Sequence, residues 1–124
     1  MSKYYMDPEC SCQGKYLDKM LQPNILLVLH KEPMHGFKLI QELSRSPMFS
    51  DSTPDRTGVY RYLKRMEEDG LLDSREEIEE ESGRHRRIYS ITEKGEHCLS
   101  SWKTSLKQYL VTMIQFVREL DESV

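Results

Sequence analysis

The stretch Thr53-Pro54-Asp55-Arg56-Thr57-Gly58-Val59-Tyr60-Arg61-Tyr62-Leu63-Lys64-Arg65-Met66-Glu67-Glu68-Asp69-Gly70 reads as one amphipathic helix followed by two strand-like runs, Leu71 to Ile78 and Arg87 to Ile91. At 100° per residue, Val59, Leu63 and Met66 fall on one side of that helix. Thr57, Tyr60, Arg61 and Lys64 cluster on the other side, with Arg65 at its flank. Thr53 is placed to cap the helix, and Pro54 suits a first position where its missing N–H is no loss. Gly70 ends it. Between the strand-like runs stands Ser82-Gly83-Arg84-His85-Arg86-Arg87, a cationic tip with a glycine for the turn. A helix with one packing side and one basic side, followed by a basic hairpin, is the pattern of a winged helix gripping duplex DNA. On this pattern the helix enters the major groove and the wing meets the backbone or the minor groove.

The surrounding elements fit that frame. A first helix is expected from about Lys15, its apolar residues being Leu17, Met20, Leu21, Ile25, Leu26, Val28 and Leu29. Pro23 demands a kink there, or a later start that puts it in the first turn. Lys31-Glu32-Pro33 ends this element, and a shorter helix follows from about Met34 to Ser44 with Phe37, Ile40 and Leu43 at helical spacing. Arg45 to Pro54 is a polar loop. Glu79 to Arg86 join the two strands with Gly83 at the tip, and Thr92-Glu93-Lys94-Gly95 opens a last helix running towards Leu120. The fold class is therefore α+β: a winged helix-turn-helix of three helices and a β-hairpin wing, with a long C-terminal dimerisation helix. The expected division is 1–14 as a flexible segment, 15–95 as the DNA-binding domain and 96–124 as the dimerisation helix.

That last helix repeats. Leu99, Leu106, Met113 and Leu120 recur every seven residues, and Trp102, Tyr109 and Phe116 follow the first three of them by three. This is an a/d seam with an aromatic residue at every d position. A homodimer explains it best; packing back onto the first helix is the alternative, and both hold together if that helix clamps the partner's seam.

Composition narrows the class. The 124 residues suit one domain with an added dimerisation element, and a charged content of 31% suits a soluble one. No apolar run approaches the roughly 18 residues that span a bilayer. The N-terminus lacks the apolar centre of a signal peptide, so a cytoplasmic protein is expected. The net charge of −3 does not by itself announce a partner for DNA. Distribution matters more, because exposed charges act over a Debye length of about 8 Å. Arg56, Arg61, Lys64 and Arg65 form one basic cluster and Arg84, Arg86 and Arg87 another; acid gathers between Glu76 and Glu81 and at Glu119, Asp121 and Glu122.

Three motifs in order carry a family resemblance. Pro33-Met34-His35-Gly36-Phe37-Lys38-Leu39-Ile40 resembles the "HGYELI" signature of the second helix in PadR-family transcriptional regulators. Thr57-Gly58-Val59-Tyr60 through Gly70-Leu71-Leu72 looks like that family's "GTLYPALRRLEEEGLI", and Gly83-Arg84 through Thr92-Glu93-Lys94-Gly95 looks like its "GRRRRYYRLTEKG". The likeness covers about residues 21 to 105. Departures are Phe37 for tyrosine, Val59 for leucine, Ile88 for an aromatic residue, and Arg61-Tyr62 where the family often has Pro-Ala. The resemblance implies a dimeric winged-helix repressor of double-stranded DNA, with the C-terminal helix as its dimer element and often an effector site nearby.

The expected DNA contacts are Thr57, Tyr60, Arg61, Lys64 and Arg65 on the helix and Arg84, His85 and Arg86 on the wing. Arg61 and Lys64 lead as readers of base edges or adjacent phosphates, since arginine pairs bidentately with guanine. Tyr60 is expected on a phosphate or against the wing, and strand alternation turns Arg87 inward.

Two kinds of effector suit the remaining residues. Trp102, Tyr109 and Phe116 facing each other across a dimer seam would sandwich a planar organic ligand, though the same rings serve equally as dimer core. Cys10-Ser11-Cys12 would hold a metal or sense redox state if a dimer brought two such pairs together, or if Cys98 and His97 supplemented one pair. The plainer alternative is a frayed terminus and a Cys98 that simply packs. His30 and His35 are assigned to packing or capping. No catalytic triad, phosphate loop or carboxylate pair stands out, so an enzyme is not expected. The rival functions are a winged-helix protein-interaction module and a MarR-type regulator, for which the chain is short and lacks the motifs.

Overall fold

A computed structural model describes residues 20–49 and 55–124. Helix α1 spans Leu21–Lys31, with Pro23 in its first turn, so the later start is the one adopted. Lys15 and Leu17 lie outside the described residues. Leu21, Ile25, Leu26 and Leu29 face the core, the i, i+4, i+8 spacing of one helix side.

The second helix is shorter than its pattern predicts. Met34 and His35 form a strand, β1, and α2 begins only at Gly36, running to Ser44. The His35 side chain caps it by accepting from the Lys38 N–H at 3.4 Å. Gly36, Leu39 and Leu43 are its buried residues. The expected set of Phe37, Ile40 and Leu43 is thus rotated: Ile40 is half-buried and Phe37 is 55% exposed.

Helix α3 spans Arg56–Glu68 and buries Val59, Leu63 and Met66, as its spacing dictates. Its cap is Asp55, whose carboxylate accepts from the Gly58 N–H at 3.1 Å. Thr53 and Pro54, expected as cap and first residue, lie outside the described residues. Gly70 follows the helix at φ +79°, the left-handed conformation a glycine C′ residue supplies without strain.

Strands β2 (Leu72–Ile78) and β3 (His85–Ile91) pair antiparallel from Leu72↔Ile91 to Ile78↔His85. β1 adds to the other edge of β3, with Met34 opposite Tyr89, giving the order β1-β3-β2. The hairpin loop is therefore Glu79 to Arg84, tighter than expected, and His85 and Arg86 belong to the strand. Glu79 N–H donates to the Arg84 carbonyl at 2.9 Å and Gly83, at φ +68°, closes the turn.

Helix α4 runs from Glu93 to Ser123, capped by Thr92, whose hydroxyl accepts from the Gly95 N–H at 3.0 Å. Its first turns pack Cys98, Leu99 and Trp102 against the core formed by α1, α2, α3 and the sheet. Beyond Trp102 the helix projects away. The whole is a winged helix with a long C-terminal helix. Among the described residues no helix is long and apolar enough to cross a membrane.

Candidate nucleic-acid interface

The core side of α3 is fully occupied by Val59, Leu63 and Met66, which leaves Thr57, Arg61, Lys64 and Arg65 exposed on the other sides. Among the described residues none of the three cations, Arg61, Lys64 and Arg65, makes an ion pair. Unpaired cations on a rigid helix are free to meet phosphates or the acceptor edges of bases. Tyr60 differs from them. Its ring packs against Gly36 at the start of α2, leaving too little room for a side chain at that glycine. Its hydroxyl bonds to no other described residue, and the tyrosine lines a groove.

That groove has a volume of about 320 Å³ and runs between the start of α2, the start of α3 and the wing. Phe37, Tyr60 and Tyr89 line it together with Arg56, Arg84, His85, Arg86 and Arg87. The structure therefore brings Arg56 and Tyr60 of α3 together with the basic residues of the wing, while Arg61, Lys64 and Arg65 do not line this groove. Arg56 and Arg87 are additions to the expected contacts. Arg56 belongs to the basic cluster of the helix in sequence, whereas strand alternation argues against Arg87.

Alternation along β3 puts His85, Arg87 and Tyr89 on one face and Arg86 and Ile88 on the other. Arg87 shares the face of the buried Tyr89 but is itself exposed rather than turned into the core. It donates to the Ser74 hydroxyl at 2.9 Å, and Ser74 in turn donates to the Glu67 carboxylate of α3. This chain of contacts ties the wing to α3. Burial pushes the Tyr89 hydroxyl above the usual tyrosine range, an effect that the nearby Arg87 charge opposes.

Two of the expected wing contacts are partnered by acid. His85 Nδ1 lies 2.9 Å from Glu76 Oε1, and Arg86 Nη2 lies 3.0 Å from Glu79 Oε2. Both pairs are exposed, so each is weak and exchangeable. Arg84 has no ion pair among the described residues; its backbone N–H donates to the Ser82 hydroxyl at 3.2 Å.

The expected effector residues do not converge within one chain. Trp102 lines a half-open, mainly apolar groove of about 500 Å³ between α1 and α4, with Leu27, Leu99 and Leu106 among its walls. Its indole N–H donates to Gln22 Oε1 at 2.9 Å. Tyr109 and Phe116 do not line that groove. At 1.5 Å of rise per residue, Phe116 lies about 21 Å further along the helix than Trp102. Tyr109 is 68% exposed.

Cys10 and Cys12 lie outside the described residues. Cys98 is half-buried on the core side of α4, its Sγ 4.0 Å from Gln22 Oε1, whereas His97 is exposed on a different side of the same helix. Among the described residues no three His, Cys, Asp or Glu side chains stand together as metal ligands.

The transcriptional regulator PadR-like family matches residues 25–101 of this chain. No curated protein matches it. A PadR family transcription regulator from hypervirulent Clostridium difficile R20291 is 26% identical, with a TM-score of 0.69 over 79% of this chain and 98% of that one. A PadR-like transcription factor from Bacteroides fragilis is 27% identical, with a TM-score of 0.69 over 86% and 99% of the two chains. A PadR-like regulator from Bacillus cereus strain ATCC 14579, at 24% identity and a TM-score of 0.69 over 83% and 96%, shares the fold.

Proposed function

Because the chain belongs to the PadR-like family of transcriptional regulators, we propose that it represses transcription as a homodimer on an inverted-repeat operator, with an effector setting its affinity. The observation that carries the DNA-binding part is the basic groove in which Arg56 and Tyr60 of α3 meet Arg84, His85, Arg86 and Arg87 of the wing, beside the exposed, unpaired Arg61, Lys64 and Arg65 of the same helix. Arg61 and Lys64 read base edges, while Thr57 and Arg65 flank them at the backbone. Tyr60 donates its free hydroxyl to a phosphate. Arg84 takes a phosphate or enters the minor groove. His85 and Arg86 exchange their acidic partners for phosphates when DNA arrives.

Dimerisation is supported by the distal half of α4. Leu106, Tyr109, Leu110, Met113, Phe116, Val117 and Leu120 form one stripe, all exposed in the single chain. It is wider than the a/d seam, because Leu110 and Val117 add an e position to it. A continuous apolar stripe of this kind marks an interaction surface. On an inverted repeat, the two α3 helices of such a dimer stand about 34–36 Å apart, one turn of DNA.

The effector part rests on the groove beside Trp102. Its apolar walls, with His30, Glu96 and Lys103 at the margin, suit a planar organic molecule with a polar edge.

Selection of bound duplexes from a random library by the purified protein tests the proposal, with sedimentation at micromolar concentration alongside. An enriched inverted repeat bound by a dimer, with affinity falling steeply in salt, is the expected result. No enriched motif would point instead to a protein-interaction module, and a monomeric species would remove the inverted repeat.

A further inference from the structure

The start of α4 is fastened to the cap and connector that follow α3. The Thr92 hydroxyl, besides capping α4, donates to the Gly70 carbonyl at 2.6 Å, and the Thr92 N–H donates to the Leu71 carbonyl at 3.1 Å. Lys94 reaches back so that its ammonium donates to the Asp69 carbonyl at 2.8 Å. There it meets the exposed carbonyls and the negative dipole end of the recognition helix. Gly95 allows the approach: a Cβ at that position would collide with the Leu71 oxygen and stand 2.6 Å from Ile91 Cγ1. The start of α4 is thus held against Asp69 to Leu71, the short connector by which the chain leaves α3.

The length of α4 turns this joint into the base of a lever. From Lys94 to Met113, in the middle of the exposed stripe, the helix rises about 28 Å. A tilt of about 7° at the base would shift the recognition helix by about 3.4 Å relative to the stripe, the rise of one base pair. A dimer that accepts only one operator geometry therefore needs a joint stiffer than this.

We infer that Thr92, Lys94 and Gly95 are positioning residues that fix the separation of the two recognition helices, and with it the half-site spacing the protein accepts. The inference rests on the dimeric, DNA-binding function proposed above. α1 restrains α4 from another side, with His30 Nδ1 2.7 Å from Glu96 Oε2 and Trp102 bonded to Gln22. Loss of a single joint contact therefore leaves the fold in place and loosens the angle.

The experiment measures affinity for inverted repeats whose half-sites are moved apart or together one base pair at a time. The wild type should bind one separation and lose roughly tenfold or more at either neighbour. Lys94→Met and Thr92→Val should keep the affinity for the preferred separation within about threefold, yet lose less than about threefold at its neighbours. Thr92→Ser, which retains the hydroxyl, should behave as wild type. Gly95→Ala, which drives a methyl into the Leu71 carbonyl, should move the preferred separation itself or unfold the chain; the two milder variants decide the question. Equal spacing preference in wild type, Lys94→Met and Thr92→Val would overturn the inference, as would a uniform loss at every separation. A wild type that selects no DNA sequence at all would instead sink the regulatory function, and the inference with it.

Discussion

The ring of Tyr60 lies over Gly36, so closely that a methyl group on the glycine would stand 2.6 Å from both Cε1 and Oη of the tyrosine. Gly36 is not among the glycines with positive φ, so space alone excludes a side chain there. The contact joins α3 to the start of α2 at the edge of the basic groove that both residues line. Gly36→Ala should lower stability by about 1–3 kcal/mol through overpacking, read as a reduced urea midpoint. Combining it with Tyr60→Ala should recover part of that loss. Strict additivity of the two changes would show that they do not press on each other.

Arg61 and Arg84 should behave differently on DNA. Arg61→Ala should weaken binding to the selected operator by about 1–3 kcal/mol and scarcely alter binding to scrambled duplex. Arg84→Ala should weaken both alike and reduce the salt slope by about 1. Titration at several salt concentrations separates them, and equal losses on both duplexes for Arg61→Ala would remove its role in base reading.

Glu79 holds Arg86 at 3.0 Å on the wing, a contact that competes with any phosphate. Glu79→Gln should free the arginine and cancel one repelling charge. Non-specific affinity should rise and the salt slope steepen by about 1. Unchanged binding would mean that Arg86 never leaves the protein surface.

Met113 lies at the centre of the stripe on α4 and is 52% exposed in the single chain. Met113→Glu should therefore leave the winged-helix core folded, as judged by circular dichroism, while dissociating the dimer in sedimentation. Operator affinity should fall with it, because each half would then have to bind alone. A dimer that survives this change would place the interface elsewhere.

Much of this organisation is legible in the chain itself, and the exceptions have physical causes. Val59, Leu63 and Met66 announce the buried side of α3 because a 13-residue helix leaves room for a full apolar repeat. The two residues of β1 cannot display a period of two, so Met34 and His35 look like the start of the helix that follows. In α2 the spacing 36, 39, 43 competes with 37, 40, 43, and size favours burying phenylalanine over glycine. The close approach of Tyr60 decides otherwise, turning Gly36 inward and Phe37 out. The basic residues of the wing are visible in the sequence, but their partners are not. Pairing Glu76 with His85 and Glu79 with Arg86 follows from strand register, which a hairpin loop of six residues sets and the charge pattern leaves open. Asp55 and Thr53 are both good capping residues, and composition does not choose between them.

The two sides of α3 answer to different constraints. Val59, Leu63 and Met66 carry its share of the core, while Thr57, Arg61 and Lys64 contribute nothing to packing. Substitutions at the outer positions leave the stability of the domain close to unchanged. On the function proposed above, descendants of this chain adopt new operators by rewriting three or four outer side chains of α3, without first acquiring compensating mutations in the interior. Under such drift the scaffold stays fixed, and the recognised sequence is its variable.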